Sequence, residues 1–587
     1  MSRKSVGKFL FASVLMISGA ALPATAQSFR VQCPTSTITH PDATTAQSVN
    51  SSEPAYTAPT TFSLGANGYM VPTANVNGAI KCQQISGGDG YSTMANGTQT
   101  FMFSFGPLSG LADIAAGLPG TEFPNVFNTV YGGTFMPGDP ANSDGWSTDP
   151  TVATSRTLSG FTFNGAVGLA PDSDCVAANA AAPAGTPSSQ LPCPNLPAGG
   201  LDGHVDPRQI MDIGVMNGNI PAPLMAIDED DEFFLTLSNV GMIMRPDLFE
   251  QHTVHFHGYP NASSFYDGVP DASVAINIGG SFTYYYLAPD AGTYFWHCHI
   301  TPPEHLQMGM VGQIYVRPRQ NRTPIGTSLL ASLQKQQGDP RTACLTVSLA
   351  APVNSDILCT NPLPADNGIL PGQSSATVAA LDTLGTSANN PDNGQPVKYA
   401  YNDGDGLTAY NVEYPLQIHG FDPNFHFVGM TFNPEAFAEM KDKFFLLNGR
   451  SYPDTITPGP LTTESSDGRS HFSQPLPSII NIPAGGKALL RISDLSVTEY
   501  STLASLGIPM HVVGYNAKLL RDQEGNNTDY YTNSITLAGG ESLDVILDAS
   551  NPVYQKGQIY YLFTPQLDHL SNDQENFGGL MTEVHIN

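Results

Sequence analysis

The stretch GTYFWHCHITPPEHLQMGM, residues 292–310, joins a strand-like run to an unusual density of metal-binding side chains. Its first part is aromatic and β-branched and follows a glycine, which is typical of a β-strand. Side chains alternate between the two faces of a strand, so His297 and His299 are predicted to share one face and Cys298 to point to the other. One strand is therefore predicted to serve two separate sites.

A second stretch with the same alternation is HTVHFHG, residues 252–258. His255 and His257 are two residues apart, so they are predicted to face one side of a strand. His252 precedes His255 by three residues and lies near the start of the strand, which makes it available to a different site. His255 and His257 are therefore candidate ligands of one site.

The residues around the cysteine indicate copper. Two imidazoles and a thiolate with a weak axial thioether form a blue-copper electron-transfer site. The chain offers His252, Cys298, His305 and Met310 for that set, with Met308 as the competing axial residue. Zinc also binds histidine and cysteine, but Cys₂His₂ and Cys₄ sites need paired cysteines at close spacing, and none are present here. We therefore predict a type 1 copper site.

The rest of the sequence predicts an all-β protein. Short β-branched or aromatic runs such as EFFLTLSNVG, SFTYYYLAP and SLDVILDAS are separated by Gly, Pro, Asp and Asn, which is typical of antiparallel sandwiches or barrels. With 587 residues the chain is too long for one core. The predicted division is a signal peptide (1–26), a loop-rich β extension or insertion packed on the first domain (27–205), a first domain with the copper motifs (206–318), a linker (319–394) and a second domain (395–587).

The N-terminus has the pattern of an export signal. Three basic residues precede the apolar run FLFASVLMISGAAL, and Ala24 and Ala26 form the small-x-small pattern that a signal peptidase cuts. Removing Arg3, Lys4 and Lys8 takes the formal net charge from −28 to −31. Such an acidic chain argues against nucleic acid as a partner, and no stretch predicts a membrane span. We expect a periplasmic or secreted protein.

The seven cysteines divide into a set of six that can pair and one that is left over. Six of the seven lie outside the histidine-rich stretch, and an even set in an exported chain is read as disulfides. Connectivity does not follow from sequence, and proximity favours Cys33 with Cys82, Cys175 with Cys193, and Cys344 with Cys359. Cys298 is left over, which agrees with a separate role as a metal ligand.

HTVHFHG, the segment from YDGVP to YFWHCH, and FLLNGRSYPDT together resemble the multicopper oxidases of the cupredoxin fold and their relatives, the copper nitrite reductases. This resemblance implies Greek-key β-sandwich domains and copper as the cofactor. It makes His252, Cys298, His305 and Met310 the type 1 ligands. It directs His255, His257, His297 and His299 toward a type 2/type 3 centre and gives them the catalytic role.

The activity implied is that of an exported oxidoreductase. Single electrons would pass from a phenolic or metal-ion donor, through the solvent-facing end of His305, to the type 1 copper. They would continue through Cys298 to His297 or His299, and the second centre would reduce dioxygen. The partners expected are therefore a small-molecule or metal-ion donor and dioxygen.

The sequence departs from the oxidase pattern in its histidines and in the length of the loop between Cys298 and His305, which holds six residues. A full trinuclear centre takes twice as many histidines, usually as H-x-H pairs from two domains, and the other histidines here never form that pattern. One alternative is a nitrite reductase-like homotrimer with nitrite as acceptor, in which a type 2 copper is completed across subunits and His511 is the candidate ligand. Another is a non-enzymatic copper-binding or electron-transfer protein that keeps only the type 1 site.

Overall fold

The computed structural model describes most of the chain. The described residues are 32–41, 51–128, 219–339, 397–430 and 437–587, with 169–170, 181–187 and 204–205; gaps inside these ranges fall at 111–112, 115, 243–244, 246, 259–263, 289, 325–326, 465–469, 523 and 573–574. The predicted signal peptide and the predicted pairs Cys175–Cys193 and Cys344–Cys359 lie outside them. No helix in the described part of the chain is long and apolar enough to cross a membrane.

Strands dominate, which confirms the predicted all-β class. Those before residue 318 are β1 (Thr61–Leu64), β2 (Met70–Ala74), β3 (Ile80–Thr93), β4 (Gln99–Pro107), β5 (Leu169–Ala170), β6 (His204–Val205), β7 (Met225–Asp228), β8 (Glu232–Gly241), β9 (His255–Phe256), β10 (Ser281–Leu287), β11 (Gly292–His297) and β12 (Val311–Arg317). The helices are short: α1 (Pro124–Phe127), α2 (Pro302–Gln307), α3 (Leu329–Gln337) and α4 (Pro423–Met430).

The first sandwich consists of two four-stranded sheets. One has the order β10-β8-β3-β4 and the other β7-β12-β11-β9. Alternate residues of β8 point inward, so Phe233, Leu235 and Leu237 are fully buried. They pack in one core with Trp296 of β11 and Ile314 of β12, and this shared core joins the two sheets.

The N-terminal region contributes the middle of this sandwich. Strand β3 lies between β8, with which it is parallel, and β4, with which it is antiparallel. The sequence assigned both strands to an extension that ends at residue 205, whereas they share a sheet with β8 and β10. The predicted disulfide between Cys33 and Cys82 is confirmed, and it ties the segment at residue 33 to β3. The stretch predicted as a linker contains a 3-10 helix at Arg319–Arg322 and then helix α3.

The second sandwich holds the remaining strands. These are β13 (Lys398–Tyr399), β14 (Ala409–Tyr410), β15 (Val412–Phe421), β16 (Phe444–Leu447), β17 (Leu461–Glu464), β18 (Ser470–Ser473), β19 (Ile480–Ile482), β20 (Lys487–Asp494), β21 (Ser501–Leu506), β22 (Met510–Tyr515), β23 (Lys518–Leu519), β24 (Tyr530–Thr532), β25 (Ser534–Leu537), β26 (Ser542–Asp548), β27 (Ile559–Phe563), β28 (Ser571–Asn572), β29 (Glu575–Asn576) and β30 (Met581–Ile586). One sheet has the order β16-β15-β20-β26-β22-β23, with β24 also paired to β22, and the other β19-β30-β27-β21-β25. A core that includes Leu416, Ile492, Val545 and Val584 joins them.

The strand that precedes Cys298 lies against the second sandwich. Thr293 of β11 donates a 2.6 Å hydrogen bond to Asp544 of β26. Gln313 of the neighbouring β12 donates a 2.9 Å hydrogen bond to the carbonyl of Arg491 in β20. Buried polar contacts of this kind fix the two sandwiches relative to each other, so the second one borders the metal-binding region.

Candidate metal centres

Three of the predicted copper ligands meet inside the first sandwich. His252, Cys298 and His305 each offer a ligand atom, and these atoms lie within 4.8 Å of one another. All three side chains are completely buried. The structure therefore brings one thiol and two imidazoles together with no access for solvent.

Each ligand is positioned by a different local structure. His252 pairs with Ile276 through two backbone hydrogen bonds of 2.9 and 3.1 Å, just before β9. Cys298 follows the last residue of β11. His305 lies in α2, which begins after Thr301 and carries prolines at its first positions, where a missing N–H costs nothing. The ligands thus come from a strand end, a bridged loop and a short helix.

The imidazole of His252 supplies the test of whether a metal fits. Both of its ring nitrogens are buried and neither has a hydrogen-bond partner. An unpaired buried polar group costs free energy, and nearly all such groups in native proteins are satisfied. Burial and the neighbouring His305 lower the pKa of His252 well below its usual range, so the ring is neutral and has a lone pair to offer. A metal ion beside Cys298 is the partner that this ring lacks.

The backbone of Met310 is hydrogen-bonded to two of the other ligand residues, Cys298 and His305. Its carbonyl accepts a 3.0 Å hydrogen bond from the Cys298 amide, and its own amide donates a 2.8 Å hydrogen bond to the His305 carbonyl. Its side chain is buried in the same core as Cys298. The methyl of Met308 lies 2.5 Å from where a Cβ on Gly429 would stand, so this side chain extends toward the second sandwich.

His305 does not reach solvent, contrary to the prediction for its outer end. Its Nδ1 lies 3.3 Å from Cys298 Sγ, and its Nε2 lies 3.3 Å from a carboxylate oxygen of Glu250. Burial lowers the pKa of His305, but Cys298 and Glu250 outweigh it and raise the pKa to about 9. Glu250, whose side chain is 24% exposed, is therefore the group between His305 and the surface.

A second group of histidines lies beside the thiol site. Ligand atoms of His255, His257 and His297 lie within 4.8 Å of one another. The Nε2 atoms of His257 and His297 are 3.0 Å apart. The ring centre of His299 lies 5.0 Å from that of His255, so His299 borders this group of three.

Backbone oxygens orient two of these rings. Nδ1 of His255 lies 2.6 Å from the carbonyl oxygen of Asp267, and Nδ1 of His297 lies 2.6 Å from that of Cys298. A carbonyl only accepts, so each Nδ1 carries the proton and each Nε2 presents a lone pair. This is the arrangement in which metal-binding histidines are held.

His257 is oriented by the second sandwich. Its ring hydrogen-bonds to the backbone of Gly540, and a Cβ on that glycine would lie 3.0 Å from Nδ1. Burial and the nearby His255 lower the pKa of His257 to about 4, and burial lowers the pKa of His297 well below its usual range. Two neutral Nε2 lone pairs 3.0 Å apart repel each other, and a shared cation removes that repulsion.

The two groups of ligands are in direct contact. Cys298 offers its thiol to one group, while its carbonyl accepts the hydrogen bond from His297 in the other. His297 also precedes Cys298 in the chain. A covalent route and a hydrogen-bonded route therefore connect the thiol site to the three histidines.

A third cluster of possible ligands is acidic and lies beside cations of the protein. Glu53, Asp228 and Asp231 lie together, and Lys81 Nζ is 3.0 Å from a Glu53 oxygen. Arg322 adds a second positive charge, which also acts on the three carboxylates. These two cations offset part of the negative charge of the cluster.

Comparison with known proteins agrees with the geometry. Residues 203–321 match the family model described as Multicopper oxidase. This segment is therefore similar to a multicopper oxidase domain. Over 109 residues the chain is 33% identical to laccase abr2 of Aspergillus fumigatus, a match that covers 18% of this chain and 17% of that one. Over 112 residues it is 35% identical to the copper-containing nitrite reductase of Rhizobium meliloti, covering 18% and 26%.

The chain spans about a quarter or less of the length of these curated relatives. Among solved structures, the blue copper oxidase of Nitrosomonas europaea aligns with a TM-score of 0.37 and 18% identity, over 63% of this chain and 77% of that one. The matched segment 203–321 carries every ligand residue described above except the proposed His511.

His511 lies apart from this segment's histidines. Its Nε2 is 3.0 Å from an Asp529 oxygen, although off the line of a hydrogen bond, and its ring stacks on Tyr531 with centres 4.3 Å apart. Within one chain, the structure does not bring His511 to the group around His257. Its predicted role as a ligand depends on a neighbouring subunit.

Sequence reasoning missed the contribution of the N-terminal strands. A Cβ on Gly87 of β3 would lie 2.5 Å from the His252 ring. From β4, Phe103 contacts His305 edge to face with ring centres 5.0 Å apart, and Phe105 lies 6.5 Å from His252. The alternating phenylalanines of TQTFMFSFGPL were the available signal, since they predict a strand with one buried face.

Proposed function

We propose that this protein is an exported copper oxidoreductase of the multicopper oxidase type. It would take single electrons from a phenolic or metal-ion donor and reduce dioxygen. The observation that carries the proposal is the position of Cys298, whose thiol belongs to one ligand group and whose carbonyl holds a ligand of the other. Copper supplies reversible one-electron transfer at such sites.

In this proposal each group of residues would have a distinct role in binding copper or transferring electrons. His252, Cys298, His305 and Met310 hold the type 1 copper in a dry pocket. Glu250 stands between His305 and the surface, so an electron donor would bind over this carboxylate. The route from Cys298 to the second centre runs through His297, and the second centre is formed by His255, His257, His297 and His299.

Asp267 and Gly540 act on the second centre without being ligands in this proposal. Their backbones hold the rings of His255 and His257, which leaves Nε2 of each free. Outer partners of this kind fix the tautomer and the orientation of a metal-binding histidine.

A second candidate is favoured by a specific observation. Only three histidines share the tight group at the second centre, and in the described residues no histidine of the second sandwich joins them. A single type 2 copper held by His255, His257 and His297 suits a nitrite reductase-like reaction, with His511 of another copy as the candidate additional ligand. An electron-transfer protein with only the type 1 copper is the third reading.

Metal content separates these functions. Copper per chain is measured by mass spectrometry on the exported protein, together with visible and paramagnetic resonance spectra. About four copper ions support the oxidase, about two the nitrite reductase-like enzyme and about one the electron-transfer protein. Zinc without blue absorption would contradict all three.

A matched variant assigns the copper to its site. His255→Ala should retain the blue absorption and lose copper only from the second centre, because His255 is not a ligand in the thiol site. Loss of the blue band in this variant, with folding intact, would argue against two separable centres.

A further inference from the structure

The second sandwich supplies none of the type 1 ligands, yet it contacts the loop that carries them. This ligand loop comprises α2 and the residues up to Met310. His419 of β15 is completely buried, and its Nε2 lies 3.1 Å from the carbonyl oxygen of Leu306. Because a carbonyl only accepts, this nitrogen donates. The bond therefore holds the residue next to His305.

The side chain of Gln307 is held at both ends by the second sandwich. Its amide nitrogen donates a 3.0 Å hydrogen bond to Asp442, and its amide oxygen accepts a 3.1 Å hydrogen bond from the backbone of Asp422. Asp442 in turn accepts a hydrogen bond from Thr498. Gln307 is fully buried, so these bonds are shielded from water and strengthened by the low local dielectric.

Packing adds to these bonds. The His426 ring lies between two carbonyl oxygens, 2.6 Å from that of Phe101 and 3.0 Å from that of Gln307. Burial lowers the pKa of His426 to about 3, so the neutral ring donates to only one of them and touches the other. The methyl of Met308 lies against Gly429. Three consecutive residues after His305 thus contact the second sandwich.

We propose that His419 and Asp442 are positioning residues for the type 1 copper site. They would fix the ligand loop from outside, so that His305 and Met310 keep one geometry in both oxidation states of the metal. Contacts that orient ligands typically change metal affinity or activity about 10–100-fold when they are removed. This inference rests on the proposed function, since it requires copper at His252, Cys298 and His305.

The test compares three histidine variants of the full chain. His419→Phe keeps a planar ring and removes the donor, whereas His419→Gln keeps an amide N–H that can donate to Leu306. His569→Phe is the matched control. His569 is also buried in the second sandwich, with its ring stacked on Phe445 and its Nε2 2.8 Å from Glu499.

The readouts are copper affinity and the spectra of the bound copper. Affinity is measured by titration with copper ions against a chromogenic chelator, and thermal unfolding of the metal-free proteins checks the fold. We expect His419→Phe to lower affinity about 10–100-fold and to shift the blue band and the copper hyperfine splitting. His419→Gln should recover most of the loss, and His569→Phe should match the wild type.

Asp442 gives a second, independent pair. Asp442→Ala removes the acceptor for Gln307 and should act like His419→Phe, while Asp442→Asn keeps an oxygen acceptor and should act like the wild type. This pair decides the question if His419→Phe does not fold. A blue wild type whose His419 and Asp442 variants bind copper with unchanged affinity and spectra would overturn the positioning role alone. A wild type that binds no copper at Cys298 would overturn the proposed function.

Discussion

Histidines of the two sandwiches differ in what their ring nitrogens touch. In the second sandwich, the five described histidine side chains each have a ring nitrogen within 3.1 Å of a protein oxygen: His419, His426, His511, His569 and His585. In the first, His255 and His297 likewise have a carbonyl oxygen at Nδ1, but His252 has no hydrogen-bond partner at either nitrogen, and the Nε2 atoms of His257 and His297 lie 3.0 Å apart. Both sets are largely buried, so burial does not separate them.

This contrast shows that ring nitrogens without a hydrogen-bond partner indicate a metal site better than the number of histidines does. A ring nitrogen that bonds to a carboxylate or a carbonyl is satisfied by the protein, and the other nitrogen of the same ring can still be a ligand. A buried histidine with a free lone pair beside a thiol is satisfied only by something that is not protein. The four variants below probe this contrast.

The largest effect is expected from Cys298→Ser. Serine is close in size but does not supply the thiolate that a blue-copper site requires, so the blue absorption should disappear completely. Visible spectra of the copper-loaded protein measure this. The metal-free variant should unfold near the wild-type temperature, and the second centre should keep its copper. A variant that stays blue would disprove the thiolate assignment.

The next largest effect is expected from Gly540→Ala. The added Cβ would lie 2.9 Å from the His257 ring, so the ring must shift and its geometry with His297 must change. Copper affinity of the second centre should fall about 10–100-fold while the blue band persists. Gly557→Ala is the control, because Gly557 has a similar positive φ of 88° and no atom within 4 Å of the new Cβ. Equal losses in both variants would show that backbone strain alone is responsible.

A smaller change is expected from Gly87→Ala. The new methyl would lie 2.5 Å from His252, and overpacking of this kind forces shifts that cost about 1–3 kcal/mol. The blue band should shift and type 1 copper affinity should fall about tenfold, as measured by chelator competition. Gly338→Ala serves as the control, since its nearest atom would be 3.4 Å away. Unchanged spectra would mean that β3 does not support this ligand.

The smallest effect on metal binding is expected from His511→Gln. Its contacts with Asp529 and Tyr531 lie within the chain and include no aligned hydrogen bond, so copper per chain should not change and stability should fall by at most about 1 kcal/mol. Metal analysis and the molar mass in solution are measured together. If this variant instead loses about one copper per chain, His511 is a ligand between subunits, and that result would support the nitrite reductase-like function.

Much of this architecture could be predicted from local sequence. Alternation in GTYFWHCH separates Cys298 from its neighbouring histidines, and the structure places the thiol and the His297 ring in different ligand groups. The runs predicted as strands contain β8, β10, β11 and β26. The short HTVHFHG run forms only a two-residue strand at His255–Phe256, so His252 lies outside it.

Non-local pairing could not be predicted. Strand pairing depends on partners far along the chain, and the sequence of residues 80–107 does not indicate that β8 is the neighbouring strand. The burial of His305 was missed for a similar reason, because Phe103 and Glu250 cover it from separate parts of the chain. The contacts that His419 and Asp442 make with the ligand loop could not be predicted from sequence either, since nothing near either residue distinguishes it from an ordinary polar side chain.

The parallel pairing of β3 with β8 also bears on how the protein is made. The Asp231 side chain accepts a hydrogen bond from the backbone of Ala79, 152 residues earlier. Topologies dominated by such distant pairs fold slowly. Strands β3 and β4 are synthesised first, and they remain unpaired with β8 until that strand has been made. An isolated fragment of residues 203–321 would contain the matched domain and leave an edge of β8 unpaired. Such an edge favours aggregation, and a useful fragment must therefore begin before residue 80.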